Sequence, residues 1–248
     1  MSYPSNRSNP AAFAGPPAPA PAGPRDPDEP RWPASTGLAG LLFAAIAALV
    51  LVSVVGFVYV VAGVDPPQDA SSFDFTAGAA QDFALVAVAL LVARSTGRAS
   101  ARQFGFRRFR LSAFGWALLA LISYFILSAI YSVVVHPKQD DLLEQLGADR
   151  GTLLAVVSGI FVIGIAPVVE EFFFRGFLYQ SLRTRLGVLG GAVTSGLIFG
   201  AVHLKPEFLI PLAILGILLA LLFQKTNSLW PCILVHALNN ALVFAVTL

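Results

Sequence analysis

Charge, cysteine and histidine are all scarce in this chain. Only 12% of its 248 residues are charged, about half the share of a soluble domain. The single Cys232 excludes an intramolecular disulfide and any multi-cysteine metal site. The net charge of +2 gives no ground for a nucleic-acid partner. No internal repeat is visible, which argues against a repeat-built transporter. The first 36 residues contain no apolar core, so no cleavable signal peptide is expected. What is abundant is hydrocarbon: 56% of residues are apolar and the mean hydropathy is +0.76. An all-α, polytopic transmembrane bundle is the expected fold.

Residues 1–36 hold ten of the 17 prolines, including the run Pro16-Pro17-Ala18-Pro19-Ala20-Pro21. Such a segment buries too little apolar surface to offset chain entropy, so a disordered cytoplasmic tail is expected. The transmembrane domain is then 37–248. About seven apolar stretches follow, each measured against the roughly 20 residues needed to span a bilayer. They run from Gly37 to Val64, Phe75 to Ala93, Leu111 to Val135, from near Leu153 through Pro167, Val188 to His203, Phe208 to Phe223, and Leu229 to Leu248.

Loop charge sets an orientation. Arg94, Arg98, Arg102, Arg107, Arg108 and Arg110 lie between the second and third stretches with no acid among them. Arg183, Arg185 and Lys225 follow in alternate loops, and the intervening loops carry Asp65, Asp69, Asp74, Asp140, Asp141, Glu144 and Asp149. The positive-inside rule puts the N-terminus in the cytoplasm and the C-terminus outside, with the cell membrane as the expected location. Asp140 to Gly147 reads as a short amphipathic helix on the outer surface. Gly196 and Gly200 form a small-xxx-small pair that favours close helix contact.

The exceptional stretch is Val168-Val169-Glu170-Glu171-Phe172-Phe173-Phe174-Arg175. Ionisable groups inside an apolar segment mark a functional site by default. Glu171 and Arg175 are four apart and share a helix face, so they can pair. Glu170 is turned about 100° away and left available as a general base. Counted from Arg183, Glu170 lies ~20 Å deep, and His203, counted from Val188, ~22 Å. His236 and Asn240 share a face of the last stretch, while Asn239 is expected to point away. Counted from Ser228, His236 is only ~12 Å deep, a mismatch with Glu170. His136, before Pro137, reads as a loop histidine, and Asp82 as a buried or interfacial polar residue.

Glu170, His203, His236 and Asn240 can activate a water and stabilise an oxyanion. Glu170, His203 and His236 could instead hold Zn2+ or another divalent metal with an open position for water. The zinc-protease signature His-Glu-x-x-His is absent. The residues leave the two mechanisms open.

Glu170-Glu171-x-x-x-Arg175, then Phe199-x-x-x-His203, then His236-x-x-x-Asn240 resemble the motif series of the CPBP family. This is the family of CAAX- and bacteriocin-processing intramembrane proteases, also called Abi and related to type II CAAX prenyl endopeptidases. Gly176 and the lead-in Asn227-Ser228-Leu229-Trp230-Pro231 match as well, and the resemblance covers 153–240. It implies an intramembrane endopeptidase acting on membrane-associated peptides or proteins. By position Glu170 would activate water, His203 would assist it or bind metal, and His236 and Asn240 would complete the site. Glu171, Arg175 and Phe199 would support it. A non-catalytic immunity or scaffold protein of the same fold and a proton-coupled carrier are the competing readings.

Overall fold

The computed structural model describes residues 32–63, 70–97, 99–136 and 152–247. The expected amphipathic helix at Asp140 to Gly147 and most of the proline-rich tail lie outside them. The helices are α1 (Ala34–Val61), α2 (Ala70–Ser95), α3 (Ser112–Val135), α4 (Thr152–Gly159), α5 (Ala166–Glu171), α6 (Gln180–Ala201), α7 (Leu209–Thr226) and α8 (Leu229–Thr247). Wider π-helical turns at Ile160–Ile165 and Phe172–Tyr179 flank α5, and a 3-10 turn at Pro206–Phe208 precedes α7. Among the described residues the fold is all-α.

The packed bundle starts earlier than composition suggests. Trp32 is 2% exposed and packs on Phe104 and Phe177 at ring-centroid distances of 5.0 and 5.9 Å. The tail boundary therefore falls before residue 32, because an indole anchors that segment to the core.

Among the described residues six helices are long and apolar enough to cross a membrane, against about seven expected. The fourth, Val156–Ala201, runs for 46 residues and contains both the fourth and fifth expected spans. Gly187 breaks it with φ 70° and ψ −179°, a conformation open to glycine at little cost. The chain doubles back there. A Cβ on Gly191 would lie 3.0 Å from the Arg183 backbone, and the rings of Phe174 and Phe199 meet at 5.0 Å. In one straight helix those residues would be ~37 Å apart.

Pro167 lies inside this helical run, where its ring would clash with the carbonyl four residues back. The π-helical turn Ile160–Ile165 comes just before it and widens the helix at that point. The second π-helical turn is buried on all sides: none of Phe172 to Tyr179 faces solvent or lipid. The Glu170-Glu171 pair is thus followed by protein core and does not mark an interfacial helix end.

Close packing seats α7 on α6. A Cβ on Gly196 would lie 2.8 Å from the Ala213 carbonyl, and one on Gly200 would strike the Leu209 carbonyl. The Gly196/Gly200 pair is the contact seam its spacing suggested.

The arginine-rich connection between α2 and α3 also folds into the bundle. Leu229 N–H donates to the Gly105 carbonyl at 2.8 Å. Ser228 Oγ donates to the Arg107 carbonyl at 2.7 Å, and Gln180 Nε2 to the Gln103 carbonyl at 2.9 Å. The start of α8 is therefore tied to that connection.

Candidate active site

Three helical segments build the site. The arm formed by α5 and its π-helical turn supplies Glu170, Glu171 and Arg175, α6 supplies Phe199, and α8 supplies His236, Asn239 and Asn240. The α5 arm and α8 run as antiparallel neighbours. Gly176 faces Leu229, whose Cδ1 lies 3.5 Å from where its Cβ would be. Asn240 meets Val162 one helical stretch higher.

This pairing removes the depth mismatch of His236. Glu170 lies about six residues, ~9 Å, above Gly176, and His236 about seven residues, ~10 Å, above Leu229. The two side chains are therefore level. The two depth counts start at different levels: Leu229 is level with Gly176, and Arg183 lies seven residues, ~10 Å, beyond Gly176.

Arg175 is 1% exposed and fully engaged. Its NH1 donates to Glu171 Oε1 at 2.8 Å and its NH2 to the Gly216 carbonyl on α7 at 3.2 Å. The guanidinium stacks 4.6 Å from the Phe199 ring centroid. Glu171, 0% exposed, thus has its charge balanced in place. Phe199 is also buried and sits between the two histidines, 4.9 Å from the His203 ring and 5.7 Å from the His236 ring.

Glu171 does more than hold Arg175. Its Oε1 also accepts from His236 Nδ1–H at 2.8 Å. An ionised carboxylate only accepts, so the proton is on Nδ1. That turns Nε2 toward Glu170, whose Oε2 lies 3.8 Å away. Glu170 Oε2 is buried and has no hydrogen-bond partner in the protein. An oriented imidazole and an uncommitted carboxylate therefore face each other, with the second glutamate behind the imidazole.

His203 and Asn240 stand differently. The α6 helix ends at Ala201, so His203 lies in the turn beyond it and not on the helix. Its Nδ1–H donates to the Phe199 carbonyl at 2.7 Å, which leaves Nε2 as an acceptor. Asn240 Nδ2 donates to the Val162 carbonyl at 2.9 Å, beside the π-helical turn where backbone carbonyls lose their usual partners. One of its two amide N–H donors is thereby committed to the backbone, and the other stays free to donate. Asn239, expected to point away, is 4% exposed and its Nδ2 donates to Asn240 Oδ1 at 3.3 Å.

Glu170, His203 and His236 do not gather as a ligand shell. Among the described residues no three His, Cys, Asp or Glu side chains are grouped to hold a metal ion. His136 caps α3 in a left-handed conformation, φ 50°, with its N–H donating to the Ser132 carbonyl at 3.1 Å, a structural role.

Sequence reasoning undervalued Asp82. It is 7% exposed and its Oδ2 has no partner. Its helix, α2, packs on α5, and Glu170 is the charged group it feels across that contact. The available signal was a lone acid inside an apolar stretch. Gly216 was missed too, because a glycine offering its carbonyl to a buried arginine has no sequence signature.

Residues 150–242 match the family model described as "Type II CAAX prenyl endopeptidase Rce1-like". The matched segment begins just before α4 and ends after Asn240, so it contains every polar residue of the site. A stretch of the chain also resembles a Bacillus subtilis (strain 168) protein named "Putative membrane peptidase YdiL". Identity is 29% over 91 residues, covering 37% of this chain and 36% of that protein. The match therefore spans about a third of the curated relative. No solved structure matches the chain. The matched segment is built against α1, α2 and α3, which lie outside the matched residues.

Proposed function

We propose that this protein is an intramembrane endopeptidase of the glutamate type. It would cleave a peptide bond of a membrane-associated protein or peptide, prenylated CAAX-type sequences among them. The observation that carries this reading is the arrangement Glu171–His236–Glu170. A water placed against both Glu170 Oε2 and His236 Nε2 would be polarised by two groups at once. Glu170 takes its proton, and the water oxygen bonds to the peptide carbonyl carbon. The carbon–nitrogen bond then breaks, and Glu170 returns the proton to the departing amine. His236 Nε2, aimed by Glu171, accepts the water's second hydrogen and keeps the water oxygen turned to the carbonyl carbon. His203 Nε2 is an acceptor at the rim of the same cluster. Asn240 keeps the π-helical turn and α8 in register, and Phe199 and Arg175 keep the imidazole and carboxylates in place.

This reading carries the proton through Glu170 and His236 and routes no step through a metal ion. The family resemblance and the YdiL name support a peptidase, and the Rce1-like description supports the substrate class. The basic residues gather at one end of the bundle. The loop carrying Arg107 touches the start of α8 and Gln180, close to Arg183. That end is the cytoplasmic one by the positive-inside rule, with the cell membrane as the site of action.

The test is cleavage of a quenched, farnesylated CAAX peptide by the full chain in detergent or liposomes. Glu170→Gln should lower kcat by at least ~10³-fold, the scale of general-base loss, while thermal unfolding stays within a few degrees. A chelator should leave the wild-type rate unchanged. Undiminished cleavage by Glu170→Gln would reject the mechanism. A full biological function without cleavage would favour the scaffold reading.

A further inference from the structure

A groove of about 600 Å³ runs between α3, α6 and α7, and none of its lining residues belongs to the candidate active site. Leu119 and Ser123 of α3, Leu189 of α6 and Leu218 and Leu221 of α7 form its walls. Its length along α3 and α7 is about seven residues, ~10 Å. Nothing in these walls can bond a polar ligand except Ser123, so the groove takes a hydrocarbon chain.

One end differs in character. Lys225 Nζ sits 5.5 Å over the Trp116 ring, which fixes an ammonium at the groove mouth. Gln224 lines the same mouth. Its amide oxygen accepts from Tyr179 Oη at 2.9 Å and from Arg183 NH1 at 2.9 Å, which leaves the amide N–H2 to donate. The mouth is thus made of donors and cations. Within residues 176–228 the one acid is Glu207, and it lies at the opposite end of α7.

We propose that this groove is a binding site for an anionic phospholipid. One acyl chain lies between α3 and α7, and the phosphate is bound by Lys225 and the Gln224 amide. Charge complementarity selects the occupant: a neutral lipid fills the walls equally well but leaves the cationic mouth unused. Basic pockets between transmembrane helices recognise anionic headgroups in this way. The proposal does not rest on the peptidase reading and stands or falls separately from it.

The full-length protein is extracted from vesicles of equal phosphatidylglycerol and phosphatidylcholine with identical acyl chains. Retained lipid is then quantified by mass spectrometry. Phosphatidylglycerol should be enriched about fivefold, the factor one basic side chain supplies near a bilayer. Lys225→Ala should bring the ratio close to the bulk value, and Lys225→Arg should keep it. Ser123→Phe should lower the total lipid retained by filling the groove. If that variant fails to fold, Leu189→Phe fills it from the opposite wall, at a position 70% exposed. Retention in the bulk ratio, or enrichment that survives Lys225→Ala, would overturn the proposal. Stabilisation by inorganic phosphate equal to that by phosphatidylglycerol would overturn the groove as part of the site.

Discussion

The two halves of this bundle treat the membrane in opposite ways. In α1 and α3 only 6% of the central window is buried in protein, while in α7 and α8 the share is 44%. The first group meets lipid with Leu42, Phe57, Leu118 and Ile126. The second group, with the α5 arm, encloses Glu171, Arg175 and His236 at 0 to 4% exposure. Charge is tolerated in the second group because protein surrounds it: a carboxylate there finds a carbonyl-bound guanidinium and an imidazole. The same carboxylate on the outer face of α3 would find hydrocarbon. The lipid-facing helices are the wall, and the closely packed ones are the chemical interior.

This contrast can be broken most forcibly at Arg175. Arg175→Leu leaves Glu171 buried without its cation and should cost ~3–5 kcal/mol, read as lost thermal stability. The double change Glu171→Leu with Arg175→Leu should recover much of that loss while abolishing cleavage. If Arg175→Leu folds as well as the wild type, the interior does not depend on charge balance.

A smaller effect is expected at the helix seam. Gly196→Val would drive methyl groups into the Ala213 carbonyl and Ile217 and should cost ~1–3 kcal/mol. Asp82→Asn tests the interface between the two halves. It removes an unpartnered buried carboxylate next to Glu170 and should raise stability by ~1 kcal/mol. A fall in melting temperature would instead show that Asp82 is paired. The smallest change belongs to the wall. A Cβ added at Gly115 would meet nothing within 4 Å, so Gly115→Ala should stabilise α3 by ~0.5–1 kcal/mol at most. A loss there would mean that α3 is packed more tightly than its exposure implies.

Much of the site could be read from spacing. Glu171 and Arg175 are one helical turn apart, and their pairing follows from that alone. His236 and Asn240 lie on a helix face that the same rule identifies. What spacing could not supply was which carboxylate His236 would meet. Depth counting set it against Glu170 and found the levels unequal, because the count assumed that α8 starts at the membrane face. The facing of Gly176 and Leu229 sets the start of α8 well inside the level of Arg183, and His236 comes level with the glutamates. Asn239 and Asn240 were assigned by helical angle, but the π-helical turn opposite them offers the Val162 carbonyl and draws Asn240 toward structure. His203 was placed on a helix that ends two residues sooner.

By itself, the sequence determined the membrane setting, the helical class, the Glu171–Arg175 pair and the availability of Glu170. These follow from hydropathy and from a fixed 3.6-residue period, both local properties of the chain. Tertiary structure alone decided that Gly187 folds one long helix into two arms, that Gly216 lends a carbonyl to Arg175, and that His236 bridges Glu171 and Glu170. Each of these depends on groups far apart in sequence brought to van der Waals distance. A buried charge takes whichever partner the packing delivers, and no periodicity encodes that choice.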